Sequence, residues 1–79
     1  MYDDSYYFNL IRHNIKRIRE KEGLTQQQLA DKTGITMNYL AKIESQKMQR
    51  VRTIVIAGRL ANTLQVGIAK LFKPYENNK

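Results

Sequence analysis

The chain has no cysteine and no tryptophan, a single histidine, His13, and a single proline, Pro74. Without cysteine, disulfide staples and thiolate metal sites are excluded, and a reducing cytoplasm suits the composition. One histidine and two serines, Ser5 and Ser45, leave no nucleophile and base set from which to build an active site, so an enzyme is not expected. His13 lies off the apolar stripe of its segment with no obvious carboxylate partner, and reads as a surface side chain rather than a ligand or catalyst. No stretch reaches the roughly 18 apolar residues of a membrane span, and no signal-peptide pattern is present. A soluble, unexported protein is therefore expected, cytoplasmic and nucleoid-associated if the charge is used on DNA. Acid is scarce as well: 7 Asp and Glu stand against 14 Lys and Arg, a net charge of +7. That imbalance favours a polyanion, either nucleic acid or an anionic membrane surface. No residue cluster points to a metal, a cofactor or a small-molecule ligand.

The 79 residues make one small domain, a size that buries about 60% of its unfolded surface and gains from a partner subunit. Its most structured stretch is residues 24–44, LTQQQLADKTGITMNYLAKIE. Leu29, Ala30, Ile35, Leu40 and Ile43 recur at helical spacing on both sides of Gly34, which predicts two short helices sharing an apolar face across one tight corner. Thr25 and Gln28 form a capping box at the start of the first, and Gly34 supplies the left-handed residue that ends it. Thr36 caps the second.

Around this stretch the spacing predicts a compact all-α bundle of about five helices. Asp4 or Ser5 caps a long first helix from Tyr6 to about Glu22, with Tyr7, Leu10, Ile11, Ile15 and Ile18 inward and Gly23 as its stop. Residues 1–9 are rich in Tyr and Phe and hold no base, and two readings stay open: a helix extension that thickens the core, or a dimer or partner contact. Thr53 caps a fourth helix to about Thr63, with Ile54, Ala57, Leu60, Ala61 and Leu64 inward and Gly58 giving a smooth face for close contact. Gly67 opens a fifth, from Ile68 to Phe72, that Lys73 and Pro74 end. Residues 73–79 are polar and read as a frayed tail.

The pattern Leu24, Thr25, Gln26, Leu29, Ala30, Gly34, Ile35, Thr36, Leu40, Ile43 and Glu44 resembles the helix-turn-helix family of the lambda-type phage repressors and Cro, the XRE-type regulators. Every position of that family's motif is filled, and weaker similarity runs from about Ile11 to Phe72. The resemblance implies a lambda-repressor-like DNA-binding domain with its helix-turn-helix at residues 25–45, within the single domain of residues 1–79 and downstream of the aromatic extension of residues 1–9. It also implies that Gln26 and Thr36 contact phosphates at helix N-termini, and that Arg19 and Glu44 form an ion pair joining the first helix to the recognition helix. Where relatives commonly have Gly two residues after that Glu, and often a later Pro, this chain has Gln46 and a loop about two residues longer.

With Leu40 and Ile43 facing inward, the second motif helix presents Met37, Asn38, Ala41 and Lys42. Asn pairs with the adenine edge, Lys donates to guanine, and the Met and Ala side chains suit a thymine methyl. For an arbitrary helix these four would be a solvated face; the resemblance turns them into base readers. Tyr39 is open between packing and a phosphate contact. Lys47, Arg50 and Arg52 follow directly and would grip the backbone.

Val66, Ile68, Leu71 and Phe72 crowd the terminal helix with more apolar surface than a small core covers from one side. A two-fold dimer there, with Tyr7 as a possible second contributor, is expected. The leading expectation is a dimeric repressor or autoregulator reading an inverted repeat in double-stranded DNA. The alternative is an antitoxin-like protein-interaction module with DNA binding secondary.

Overall fold

The computed structural model describes residues 4–45 and 53–74, with side chains for residues 6–45 and 55–74. Among them are four α-helices, α1 (Asp4–Lys21), α2 (Gln26–Thr33), α3 (Met37–Glu44) and α4 (Thr53–Leu64), then a 3-10 turn, Ile68–Phe72. No strand occurs among the described residues, and no described helix is long and apolar enough to cross a membrane.

The expected fifth α-helix is thus a 3-10 turn. Between Gly67 and Lys73 only five residues are helical, closed by a Lys70 N–H to Gly67 carbonyl bond of 2.9 Å. So short a segment barely repays helix nucleation, and the tighter i to i+3 pattern serves a brief connector. The first helix begins at Asp4, two residues before the expected start, and Thr53 is the first helical residue of α4 rather than a cap outside it.

One apolar cluster holds the elements together: Ile11, Ile15 and Ile18 from α1, Leu29 and Ala30 from α2, Leu40 and Ile43 from α3, Ala57, Leu60, Ala61 and Leu64 from α4, and Leu71 from the 3-10 turn. Burying each Leu or Ile contributes about 1.5–3 kcal/mol, so the spacing of these residues fixes which helix faces meet. Tyr7 departs from the expected stripe. One turn before the buried Leu10, α1 has run past the packed elements, and Tyr7 is 44% exposed. Its ring lies edge-on to Tyr6, with centroids 5.2 Å apart.

A polar residue sits inside the stripe. Asn14, 1% exposed, donates from Nδ2 to the carbonyls of Leu71 and Lys73, both at 2.9 Å. It thereby satisfies the carbonyls that the short terminal turn leaves unpaired and ties the end of the bundle to α1. At the opposite corner, Thr33 Oγ1 donates to Thr63 Oγ1 at 3.1 Å, and Arg59 donates to the Thr33 carbonyl at 3.3 Å, fastening the end of α2 to α4. Gly58 is partly covered by the Ile68 side chain, whose Cδ1 stands 3.8 Å from where a Cβ would be.

Candidate nucleic-acid interface

The corner between α2 and α3 is built from local chemistry. Thr25 Oγ1 accepts from the Gln28 N–H at 3.0 Å while Gln28 Oε1 accepts from the Thr25 N–H at 2.8 Å. Gly34 ends α2 at φ 82°, and its N–H and that of Ile35 both reach the Ala30 carbonyl, at 2.9 and 3.1 Å. A side chain there would meet strain from φ and a guanidinium nitrogen of Arg59 at 3.3 Å. Thr36 then starts α3, its hydroxyl oxygen accepting from the Tyr39 N–H at 3.0 Å.

This geometry orients α3. Leu40 and Ile43 are 0% and 1% exposed, whereas Met37 is 40% exposed and Asn38 and Lys42 are exposed. Ala41 is half-buried. The outward face carries no acid, because the one acid of α3, Glu44, is 5% exposed and turned inward. Tyr39 is half-buried and packs on the core cluster.

The structure brings Arg19 and Glu44 together. Arg19 Nε and Nη2 donate to the two carboxylate oxygens at 2.7 and 3.0 Å, and Arg19 Nη1 reaches the Leu24 carbonyl at 2.7 Å. The hydrogen bond to Glu44 holds the Arg19 guanidinium above its ordinary pKa, against desolvation. Gln26 joins this pair: its Nε2 donates to Glu44 Oε1 at 3.0 Å. The side chain that the resemblance assigns to a phosphate is therefore held on the carboxylate that ends α3. The Gln26 backbone N–H is the first of α2, at the positive end of the helix dipole. Sequence reasoning also passed over Arg12, whose Nη1 lies 3.4 Å from the Glu44 carbonyl and whose Nε lies 3.4 Å from Asn9 Oδ1. The available signal was its position two turns before Arg19, on the same flank of α1.

Lys47, Arg50 and Arg52 lie outside the described residues. Of the residues expected at a dimer surface, Leu71 must be corrected: it is 0% exposed, the one fully buried side chain of the terminal turn, drawn into the core. Val66 and Phe72 are half-buried against the same core, while Ile68 is 38% exposed. The sequence pattern did not single out Val55, which at 65% is the most exposed large apolar side chain among the described residues.

Two short helices, a glycine corner and a second helix whose outward face is free of acid define a helix-turn-helix unit, and comparison with known proteins places it. The helix-turn-helix family model HTH_3 matches residues 15–71, and the chain belongs to this XRE-type family of DNA-binding transcription regulators. The chain is 31% identical over 65 residues to the uncharacterized HTH-type transcriptional regulator y4dJ of Sinorhizobium fredii, covering 82% of each. Among solved structures it resembles an HTH_3 family transcriptional regulator from Vibrio cholerae, with TM-score 0.79 and 24% identity over 89% of this chain. It spans 38% of the length of that regulator. It also resembles the hypothetical transcription factor NHTF from Neisseria (TM-score 0.79, 20% identity, 94% of this chain and 83% of that one). A third likeness is to the restriction-modification controller protein C.AhdI from Aeromonas hydrophila (TM-score 0.73, 23% identity, 82% of this chain and 96% of that one). At these identities the structural likeness concerns the fold.

Proposed function

We propose that this protein is a sequence-specific regulator of transcription that inserts α3 into the major groove of double-stranded DNA. Met37, Asn38, Ala41 and Lys42 read base edges. The amide end of α2 at Gln26, Thr36, the Tyr39 hydroxyl and the basic residues Lys47, Arg50 and Arg52 hold phosphates. The observation that carries the reading is the disposition of charge on α3. Its outward face holds Asn38 and Lys42 with no acid, and its one carboxylate is withdrawn and neutralised by Arg19. A solvated helix face has no need of that arrangement, whereas a face laid against phosphates does.

The protein works as a two-fold dimer, a repressor or autoregulator in the cytoplasm, with its two α3 helices in successive major grooves about 34 Å apart on an inverted repeat. The exposed apolar residues Val55 and Ile68, beside half-buried Val66 and Phe72, form the pairing face in place of the buried Leu71, with Tyr7 as an outlying contributor. The experiment is selection of bound duplexes from a random library, followed by titration of the selected site with Asn38→Ala and Arg50→Ala. Asn38→Ala costs about 1–3 kcal/mol at one base pair and relaxes preference there, while Arg50→Ala weakens all sequences alike. A selected motif unchanged by Asn38→Ala would contradict the assigned face.

A further inference from the structure

Outside the helix-turn-helix, the strongest concentration of charge is on α1. Arg12, His13, Lys16 and Arg17 fall within six consecutive residues, and Lys16 and Arg17 are exposed. Among the described residues neither Lys16 nor Arg17 has an ion-pair partner. The nearest acid in the sequence, Glu20, is spent on Arg19, 3.7 Å from its Nη2. Arg12 and Lys16 stand one turn apart, so like charges meet at the spacing where they destabilise a helix. The imidazole registers the crowding: desolvation by burial, then Arg17, Arg12 and Lys16 in that order, hold His13 below its ordinary pKa of 6.5. A surface serving solubility alone intersperses both signs. This one accumulates a single sign, and among the described residues no ion pair compensates Lys16 or Arg17.

Its position makes that charge useful. Arg12 reaches the carbonyl of Glu44, the last residue of α3, so this flank of α1 adjoins the end of the recognition helix. Lys16 lies one turn further along the same flank. We infer that the Lys16 and Arg17 side of α1 is a second backbone contact, carrying the phosphates of DNA that continues beyond the segment read by α3. This inference rests on the DNA-binding reading above. The partner it fits is a run of phosphates, because the face offers cations with no apolar side chain between them. Arg12, with Nη1 3.4 Å from the Glu44 carbonyl and Nε 3.4 Å from Asn9 Oδ1, marks where this flank of α1 adjoins α3.

The test is fluorescence anisotropy with a mixed-sequence 30-base-pair duplex between about 50 and 300 mM salt, using wild type, Lys16→Gln/Arg17→Gln and Lys70→Gln/Lys73→Gln. Both double variants remove two charges, but Lys70 and Lys73 sit on and beside the terminal turn, which packs on α1 and α4. The α1 variant is expected to bind about tenfold more weakly near 100 mM salt. Its slope of log affinity against log salt should be shallower by about 1.8, the release expected for two phosphate contacts. The Lys70/Lys73 variant should stay within about twofold of wild type. Relief of like-charge repulsion should leave the melting temperature of the α1 variant equal or higher, which separates lost contact from lost fold. An α1 variant that binds like wild type, or equal losses in the two variants, overturns the inference while leaving DNA binding intact. Wild type that fails to bind the duplex at 50 mM salt overturns both the inference and the reading beneath it.

Discussion

Replacing Glu44 by Ala should cost this small domain a large part of its stability. The Glu44 carboxylate is 5% exposed and accepts three hydrogen bonds, from Arg19 Nε at 2.7 Å, Arg19 Nη2 at 3.0 Å and Gln26 Nε2 at 3.0 Å. Without it, the Arg19 guanidinium, whose side chain is 10% exposed, keeps the Leu24 carbonyl and a Glu20 carboxylate oxygen at 3.7 Å on a side chain 57% exposed. Neither replaces a buried bidentate counter-charge. Stranding a buried charge in this way costs about 3–5 kcal/mol, against about 0–1 kcal/mol for breaking a surface pair. A carboxylate at a helix C-terminus opposes the dipole by about 0.3–1 kcal/mol, so its removal offsets only a small part of the loss. A domain of this length has about 4–12 kcal/mol in total, and each kcal/mol moves its melting point by about 4–8 °C. The expected drop is therefore roughly 15–30 °C, read by circular dichroism on heating and by the midpoint of urea unfolding. Arg19→Met/Glu44→Leu, which removes both charges and refills the space, should recover most of it. A loss below about 1 kcal/mol for Glu44→Ala, or a double variant no better than the single one, would refute the reasoning.

Three further outcomes follow from other parts of the structure. Asn14→Leu leaves the Leu71 and Lys73 carbonyls without their donor and should cost about 2–3 kcal/mol in urea unfolding; a neutral result would mean that water serves those carbonyls equally well. Gly34→Ala places a Cβ at φ 82° and 3.3 Å from an Arg59 nitrogen, and should cost about 1–2 kcal/mol, whereas Gly67→Ala, with φ −71° and open space, should cost less than half as much. His13 has its pKa lowered in the fold by burial and then by Arg17, Arg12 and Lys16, so below pH 6.5 the unfolded chain takes up a proton that the folded chain declines. Stability should therefore fall as pH drops from 6.5 through the folded-state value. His13→Gln should flatten that part of the stability profile, and an unchanged slope would exclude His13 as its source.

The parts of the interface that were legible in the sequence are those whose hydrogen bonds close within a few residues. The capping box of Thr25 and Gln28, the left-handed Gly34 and the Thr36 cap each span three or four positions, and their donors and acceptors are present in the sequence itself. The inward faces of α2, α3 and α4 follow from the same local periodicity, which is why Leu40 and Ile43 already imply an outward Asn38 and Lys42. The Arg19 and Glu44 pair is of another kind. Twenty-five positions separate its members, and only resemblance to a known pattern joined them in the sequence.

Tertiary structure decided what no local rule reaches. Asn14 lies on the core stripe as a polar exception, and its partners are 57 and 59 positions away, on and just past a 3-10 turn. The apolar crowding of residues 66–72 read as surplus surface; the fold spends Leu71 in the core and leaves Ile68 and Val55 outside. Gln26 could turn to a phosphate or to Glu44 with equal local plausibility, and the approach of the α3 C-terminus to the start of α2 selects the carboxylate. Capping and periodicity were determined by the sequence because their energies depend on neighbours along the chain. Burial at the bundle's end, and the choice of partner for each long polar side chain, depend on which segments meet in space, and only the assembled core fixes that.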